Sequence, residues 1–310
     1  GRVLAGLSGA SFGTAAAYIA DVSTDETRAK NFGLMGIAFG TGFVIGPVIG
    51  GILGEFGPRI PFYGAAALAF LNFLGAWVLL PESLLPVNRR RFELARANPL
   101  GALAQMRHYP GVLWVGLVFF CYGLAHAVYP SVWSFVSSYR YGWSEGEIGL
   151  SLGIFGIGGA VVMGFVLPRV VPRLGEYRTA LLGLVFSVLA LSGYAAAWQG
   201  WMVYVVIVLT ALEALADPPL RSIASARVPA SAQGELQGAL TSVSSITTII
   251  GPLIFTQVFS RFTAPSAPVS FAGAPFAVAA LILLVGFVIF LVKLKGAGVG
   301  PSGDMAPKSA

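Results

Sequence analysis

Charge is scarce in this sequence. Asp, Glu, Lys and Arg make up 10% of its 310 residues, against 56% hydrophobic, and the mean hydropathy is +0.80. A soluble domain carries about 25% charged residues, so a water-facing globular surface is excluded. Cysteine is almost missing: the one thiol, Cys121, rules out an internal disulfide. Histidine occurs only at His108 and His126, and with no cysteine cluster beside them no metal site and no cofactor are expected. The sequence has no His-Glu-x-x-His pair, no serine elbow and no phosphate loop, which argues against an enzyme. Basic residues are not interleaved with aromatics, so the net charge of +6 does not point to nucleic acid. The opening at Gly1-Arg2, without Met or signal peptide, leads us to expect a chain whose beginning lies upstream.

Long apolar runs dominate what is there. Nine have the length, roughly 20 residues, that crosses a bilayer: about 2–20, 34–54, 61–80, 112–136, 148–167, 179–198, 201–222, 237–259 and 271–292. The expected fold class is all-α, a polytopic membrane protein whose partner is the lipid bilayer. Residues 81–110 form the longest connection and the one credible boundary between two halves, and 296–310 read as a disordered tail. The second run holds Gly42, Gly46, Pro47, Gly50 and Gly51. In water each interior Gly costs about 1 kcal/mol and an interior Pro about 3 kcal/mol; between lipid-buried helices both are tolerated. Gly42, Gly46 and Gly50 recur every four residues, so the spacing predicts a close helix–helix contact along that row, beside a bend.

Loop charge sets the orientation. Of nineteen Lys and Arg residues, all but Arg2, Arg59, Arg140 and Arg261 fall on one side of the alternating connections. The positive-inside rule puts that side, with the carboxyl terminus, in the cytoplasm. Few titratable groups lie within the runs: Arg2, His126, Glu213 and Asp217. A charge at mid-membrane costs roughly 2.5–3.5 kcal/mol on insertion scales, so each needs a reason. Asp217 precedes Pro218-Pro219, where a helix bends or ends, and a capping role competes with a role at the cytoplasmic mouth. Ser11, Thr14 and Tyr18 recur at helical spacing on one face, as do Tyr122, His126 and Tyr129. Trp133 and Trp143 read as members of an interfacial belt.

Several strings together resemble one family. Gly42-x-x-x-Gly46-Pro47-x-x-Gly50-Gly51 resembles the fifth-helix signature of antiporters of the major facilitator superfamily. Arg2-Val3-Leu4-Ala5-Gly6 resembles the opening of the fourth helix, and Ala17 to Asp21 with Arg28-Ala29 the loop that follows it. Leu80-Pro81-Glu82-Ser83 resembles the end of helix six, and Gln233 to Gly238 with Ile250-Gly251-Pro252-Leu253 resembles helix eleven. A decayed copy of the family's acidic loop is read at Pro168 to Gly175 and Arg178. In this order they resemble the tetracycline-efflux branch. The resemblance implies helices four to twelve of a twelve-helix fold. Residues 1–80 are then the second triplet of the amino-terminal half, 81–110 the cytoplasmic central loop, and 111–295 the carboxy-terminal six-helix half.

It also implies a proton-coupled exporter of a small amphipathic compound in a bacterial inner membrane, acting as a monomer. Uptake by symport, or a non-transporting receptor on the same fold, stays open. Arg2, His126, Glu213 and Asp217 all fall on helices that line the family's cavity. Glu213, Arg2 and Asp217 are therefore expected to couple protons, and Ser11, Thr14, Tyr18, Tyr122, His126 and Tyr129 to shape the substrate site. Tetracycline exporters carry a His and an Asp where the flanks here place Gly159 and Ser187. Neither can hold a proton, so tetracycline itself is not the expected substrate.

Overall fold

The computed structural model describes residues 15, 18, 19, 22, 38, 40–42, 45–83, 111–228 and 233–294. Arg2, Ser11, Thr14, Asp21 and Arg28 lie outside the described residues, as do 84–110 and the tail. Every regular element described is helical. We number them α1 (Gly40–Gly54), α2 (Ile60–Leu79), α3 (Val112–His126), α4 (Val128–Tyr141), α5 (Glu145–Val161), α6 (Leu167–Ala196), α7 (Gly200–Leu212), α8 (Asp217–Ser225), α9 (Gln233–Thr263) and α10 (Ala274–Lys293). α3 and α4 form one span with a break at Ala127, and α7 and α8 form another.

The stretch Glu145–Ala196 is continuous helix of 52 residues except at Gly175, whose φ of 76° only glycine takes without strain. At 1.5 Å per residue it would reach roughly 78 Å, over twice a hydrocarbon core of about 30 Å. Gly175 therefore turns it into two spans. The expected polar loop at 168–178 is thus helix up to Leu174. A π turn, Val162–Val166, immediately precedes Pro168. It re-routes backbone bonds where proline has no N–H to give.

The bundle from 111 to 294 has one large apolar core and a small second cluster at Val162, Ala211 and Leu215. α10 packs on α3 and α6, α9 on α3 and α4, and α7 on α5 and α6. Phe255, Phe276, Phe290, Leu184 and Leu191 are fully buried in it. Gly111, with φ 86°, opens α3 against the Arg227 side chain, and burial pulls that guanidinium below the ordinary arginine value. By contrast α2 buries none of its residues. Ser144 and Glu147 cap α5 reciprocally: Glu147 N–H donates to Ser144 Oγ at 3.3 Å, and Ser144 N–H to Glu147 Oε2 at 2.9 Å.

α1 meets α5, but not along the expected row. A Cβ placed on Gly42, Gly46 or Gly50 would face open space. The contact lies at Pro47 and Gly51, which share a different face. A Cβ on Gly51 would stand 2.8 Å from the Glu145 carbonyl oxygen and 3.0 Å from Gly149 Cα. One on Gly149 would stand 2.7 Å from the Pro47 carbonyl oxygen. Past the end of α1, Glu55 Oε1 accepts from the Gly146 N–H at 2.7 Å. One residue of helix turns the chain by about 100°, so adjacent glycines serve different neighbours.

Gly51→Val should therefore lower the thermal midpoint of the detergent-purified full-length protein, at a cost of about 1–3 kcal/mol. Gly50→Val, one residue away in open space, should leave it within about 0.5 kcal/mol. Equal effects in a melting series of the two would refute this contact.

Candidate functional site

Proline decides where the buried acid stands. Pro218 and Pro219 have no N–H for the carbonyls one turn back, so the helix cannot run on unbroken through them. It instead closes as the 3₁₀ turn Glu213–Leu215 and restarts as α8 with prolines in its first turn. Glu213, expected in mid-helix, therefore sits at a break. Its side chain is nearly sealed: the residue is 4% exposed.

Two side chains from the α3–α4 span reach it. Glu213 Oε2 lies 3.2 Å from His126 Nε2 and accepts from Tyr129 Oη–H at 3.3 Å. His126 Nδ1 lies 2.9 Å from the Tyr122 carbonyl oxygen. A carbonyl only accepts, so Nδ1 carries a hydrogen. That leaves Nε2 facing Glu213 Oε2 at ion-pair distance, without an aligned hydrogen bond. The geometry thus brings one titratable atom from each of two spans within reach of a shared proton.

An aromatic wall surrounds the pair. The Tyr122 and His126 rings lie 4.0 Å apart. Tyr129 meets Trp133, Phe155, Tyr194 and Phe276 at centroid distances of 5.9–6.3 Å. Two further polar tips of this wall are satisfied. Trp133 Nε1–H donates to Ser151 Oγ at 3.0 Å, and Tyr194 Oη shares a hydrogen with Thr210 Oγ1 at 2.7 Å. Trp133 is 8% exposed, which corrects the belt reading: a partner for its indole N–H lies inside the bundle.

The structure thus brings together Glu213, His126, Tyr122 and Tyr129. It sets Asp217 apart, one turn on at the start of α8, where Arg221 Nε donates to Asp217 Oδ2 at 2.7 Å. Of the residues expected on the first span, Tyr18 alone is described, half-buried on a helix. Ser187 is buried and donates to the Gly183 carbonyl at 2.9 Å, while Gly159 faces open space. Sequence reasoning missed Phe155, Tyr194, Phe276, Ser151 and Thr210. Only the regular Tyr122, His126, Tyr129, Trp133 stripe hinted that the wall continues.

The family model described as Major Facilitator Superfamily matches residues 1–252 and, in a second placement, 132–307. The chain is similar to the class C tetracycline resistance protein of Escherichia coli, 38% identical over 260 residues, covering 84% of this chain and 65% of that protein. The class B protein of the same organism is 32% identical over 263 residues, with 84% and 65% covered. The chain thus spans just under two thirds of these relatives' length. Among solved structures, the human organic anion transporter TETRAN superposes with a TM-score of 0.62 at 22% identity, over 89% of this chain and 66% of that one. A bacterial homologue of the human lysosomal transporter Spinster gives 0.63 at 13% identity, over 93% and 76%.

If one proton joins His126 to Glu213, the two residues should act as a unit. A double-mutant cycle of His126→Leu and Glu213→Gln, read by thermal unfolding of the purified protein, should show a coupling of about 1–3 kcal/mol. Additive losses would mean the contact carries nothing.

Proposed function

The chain belongs to the major facilitator superfamily, and from that premise we propose that it is the greater part of a secondary transporter exporting a small amphipathic compound in exchange for protons. The observation that carries this reading is the buried Glu213 carboxyl bound to His126 and Tyr129. Two spans that meet at a shared proton form an element with two arrangements. With the proton, the spans are joined; without it, the carboxylate and imidazole separate and a substrate group takes their place. Substrate and proton then compete for one position near the midplane, as alternating access requires.

Further features support the reading. The curated relatives are named for tetracycline resistance, which favours export over uptake. Gly159 and Ser187 offer no titratable side chain, so the His126–Glu213 pair is left as the group that exchanges a proton in this half. A substrate other than tetracycline follows, an amphipathic one whose apolar part lies on the aromatic wall of Tyr122, Tyr129 and Phe155. The α1–α5 contact at Gly51 and Gly149 joins the two halves that rock. Loop charge supports a cytoplasmic carboxyl terminus: Arg169, Arg173, Arg178, Arg221, Arg227 and Lys293 fall on the basic side of the alternating connections. On this reading the protein sits in a bacterial inner membrane.

Glu213→Gln in the full-length protein keeps the shape and the Tyr129 contact but removes the exchangeable charge. In proteoliposomes with an imposed pH gradient, proton-driven efflux should fall about a hundredfold or more, with insertion preserved and the thermal midpoint lowered by no more than the loss of the His126 contact. Undiminished pH-driven transport by this variant would sink the proposal.

A further inference from the structure

A second concave site lies on the outside of the bundle, away from Glu213. A groove of about 400 Å³ runs between the last turns of α6 and the first turns of α10. Its walls include Val188, Ser192 and Ala195 from α6 and Ala280 and Leu284 from α10, with Phe271 at its mouth. The volume is in the range of small-molecule sites. None of these residues belongs to the aromatic wall of the buried pair. Leu284 and Ser192 are exposed, so the groove opens toward the bilayer. From the end of α6 at Ala196 back to Val188 the rise is about 12 Å, so the groove lies within one leaflet.

Polarity along the groove is graded. At the mouth, Arg140 ends α4; its Nη1–H donates to the Ala195 carbonyl at 3.0 Å, and its guanidinium carbon is 6.0 Å from the Phe271 ring centroid. A cation is thus fixed at the level of the helix ends, where phosphates lie. One turn deeper is Ser192. Thr179 and Ser187 on the same helix each donate to the carbonyl four residues back; Ser192 has no hydrogen bond among the described residues. A hydroxyl facing hydrocarbon without a partner is costly. Below it the walls are wholly apolar.

From this order of cation, hydroxyl and apolar walls we infer that the groove is a binding site for one phospholipid. The phosphate pairs with Arg140, a geometry guanidinium suits. A glycerol ester carbonyl accepts from Ser192, and one acyl chain fills the groove down to Leu284. Ala195 and Ala280 are small because the chain occupies the space that larger side chains would take. The Arg140 anchor ties α4 to the end of α6, so the lipid joins the turn between α4 and α5 to the α6–α10 face.

Native mass spectrometry of the full-length protein, titrated with phosphatidylglycerol, tests this. Wild type should retain one lipid at collision energies that strip the rest. Arg140→Gln and Ser192→Leu should each weaken that retention about tenfold, and a diacylglycerol with the same chains should bind at least as weakly. Ser192→Leu alters only an exposed groove wall, so it decides the matter if Arg140→Gln fails to fold. Unchanged retention in Ser192→Leu, or equal retention of the diacylglycerol, would overturn the inference.

Discussion

A carboxyl group sealed among apolar helices survives only if donors reach it, and the arrangement of this bundle follows from reaching Glu213. The donors come from one span, which presents His126 and Tyr129 three residues apart on a single face. The acceptor comes from a span broken at that depth by two prolines. Neither feature works alone. An unbroken helix would carry Glu213 at a different angle. The backbone carbonyl of Tyr122 holds the imidazole, and the imidazole faces the carboxyl at 3.2 Å.

A second constraint is the absence of water for the backbone. Inside lipid every N–H must find a carbonyl or a side chain. The chain meets this with local devices. A π turn precedes Pro168, a 3₁₀ turn precedes Pro218, a capping box begins α5, and Glu55 takes the N–H of Gly146. The last of these is supplied by a different span, so the start of α5 is completed by the end of α1. The close approach at Gly51 and Gly149 makes that possible, since any side chain there would hold the two helices apart.

Much of this could be read from the residues. Apolar run length located the spans, because hydropathy averages over about 20 residues and does not depend on packing. Of the four titratable groups read inside those runs, each costly there, His126 and Glu213 meet, Asp217 stands apart with Arg221, and Arg2 lies outside the described residues. Packing faces were less legible. The four-residue row of Gly42, Gly46 and Gly50 and the pair Pro47 and Gly51 obey the same spacing, and only the neighbouring helix decides which is used. Trp133 looked like a belt residue because its indole partner, Ser151, lies eighteen residues away on another span. The helical run through Pro168 and Pro172 was hidden by the ordinary reading of proline as a stop, which holds in water but weakens where a π turn can absorb the missing donors.

The two breaks nearest the site lie on opposite sides of it. α3 ends at His126 with Ala127 between it and α4, and α7 ends at Leu212 with the 3₁₀ turn beginning at Glu213. Each member of the pair thus stands next to an interruption of its own span, a slight one at Ala127, which keeps α-region angles and its bond to the Gly123 carbonyl, and a 3₁₀ turn at Glu213. Interiors at close-packed density resist continuous deformation and switch between discrete arrangements. In the proposed exchange, titratable atoms placed at these joints would let a single proton act on whole spans. The same atoms set in mid-helix would have had to bend a fully hydrogen-bonded rod against its packing.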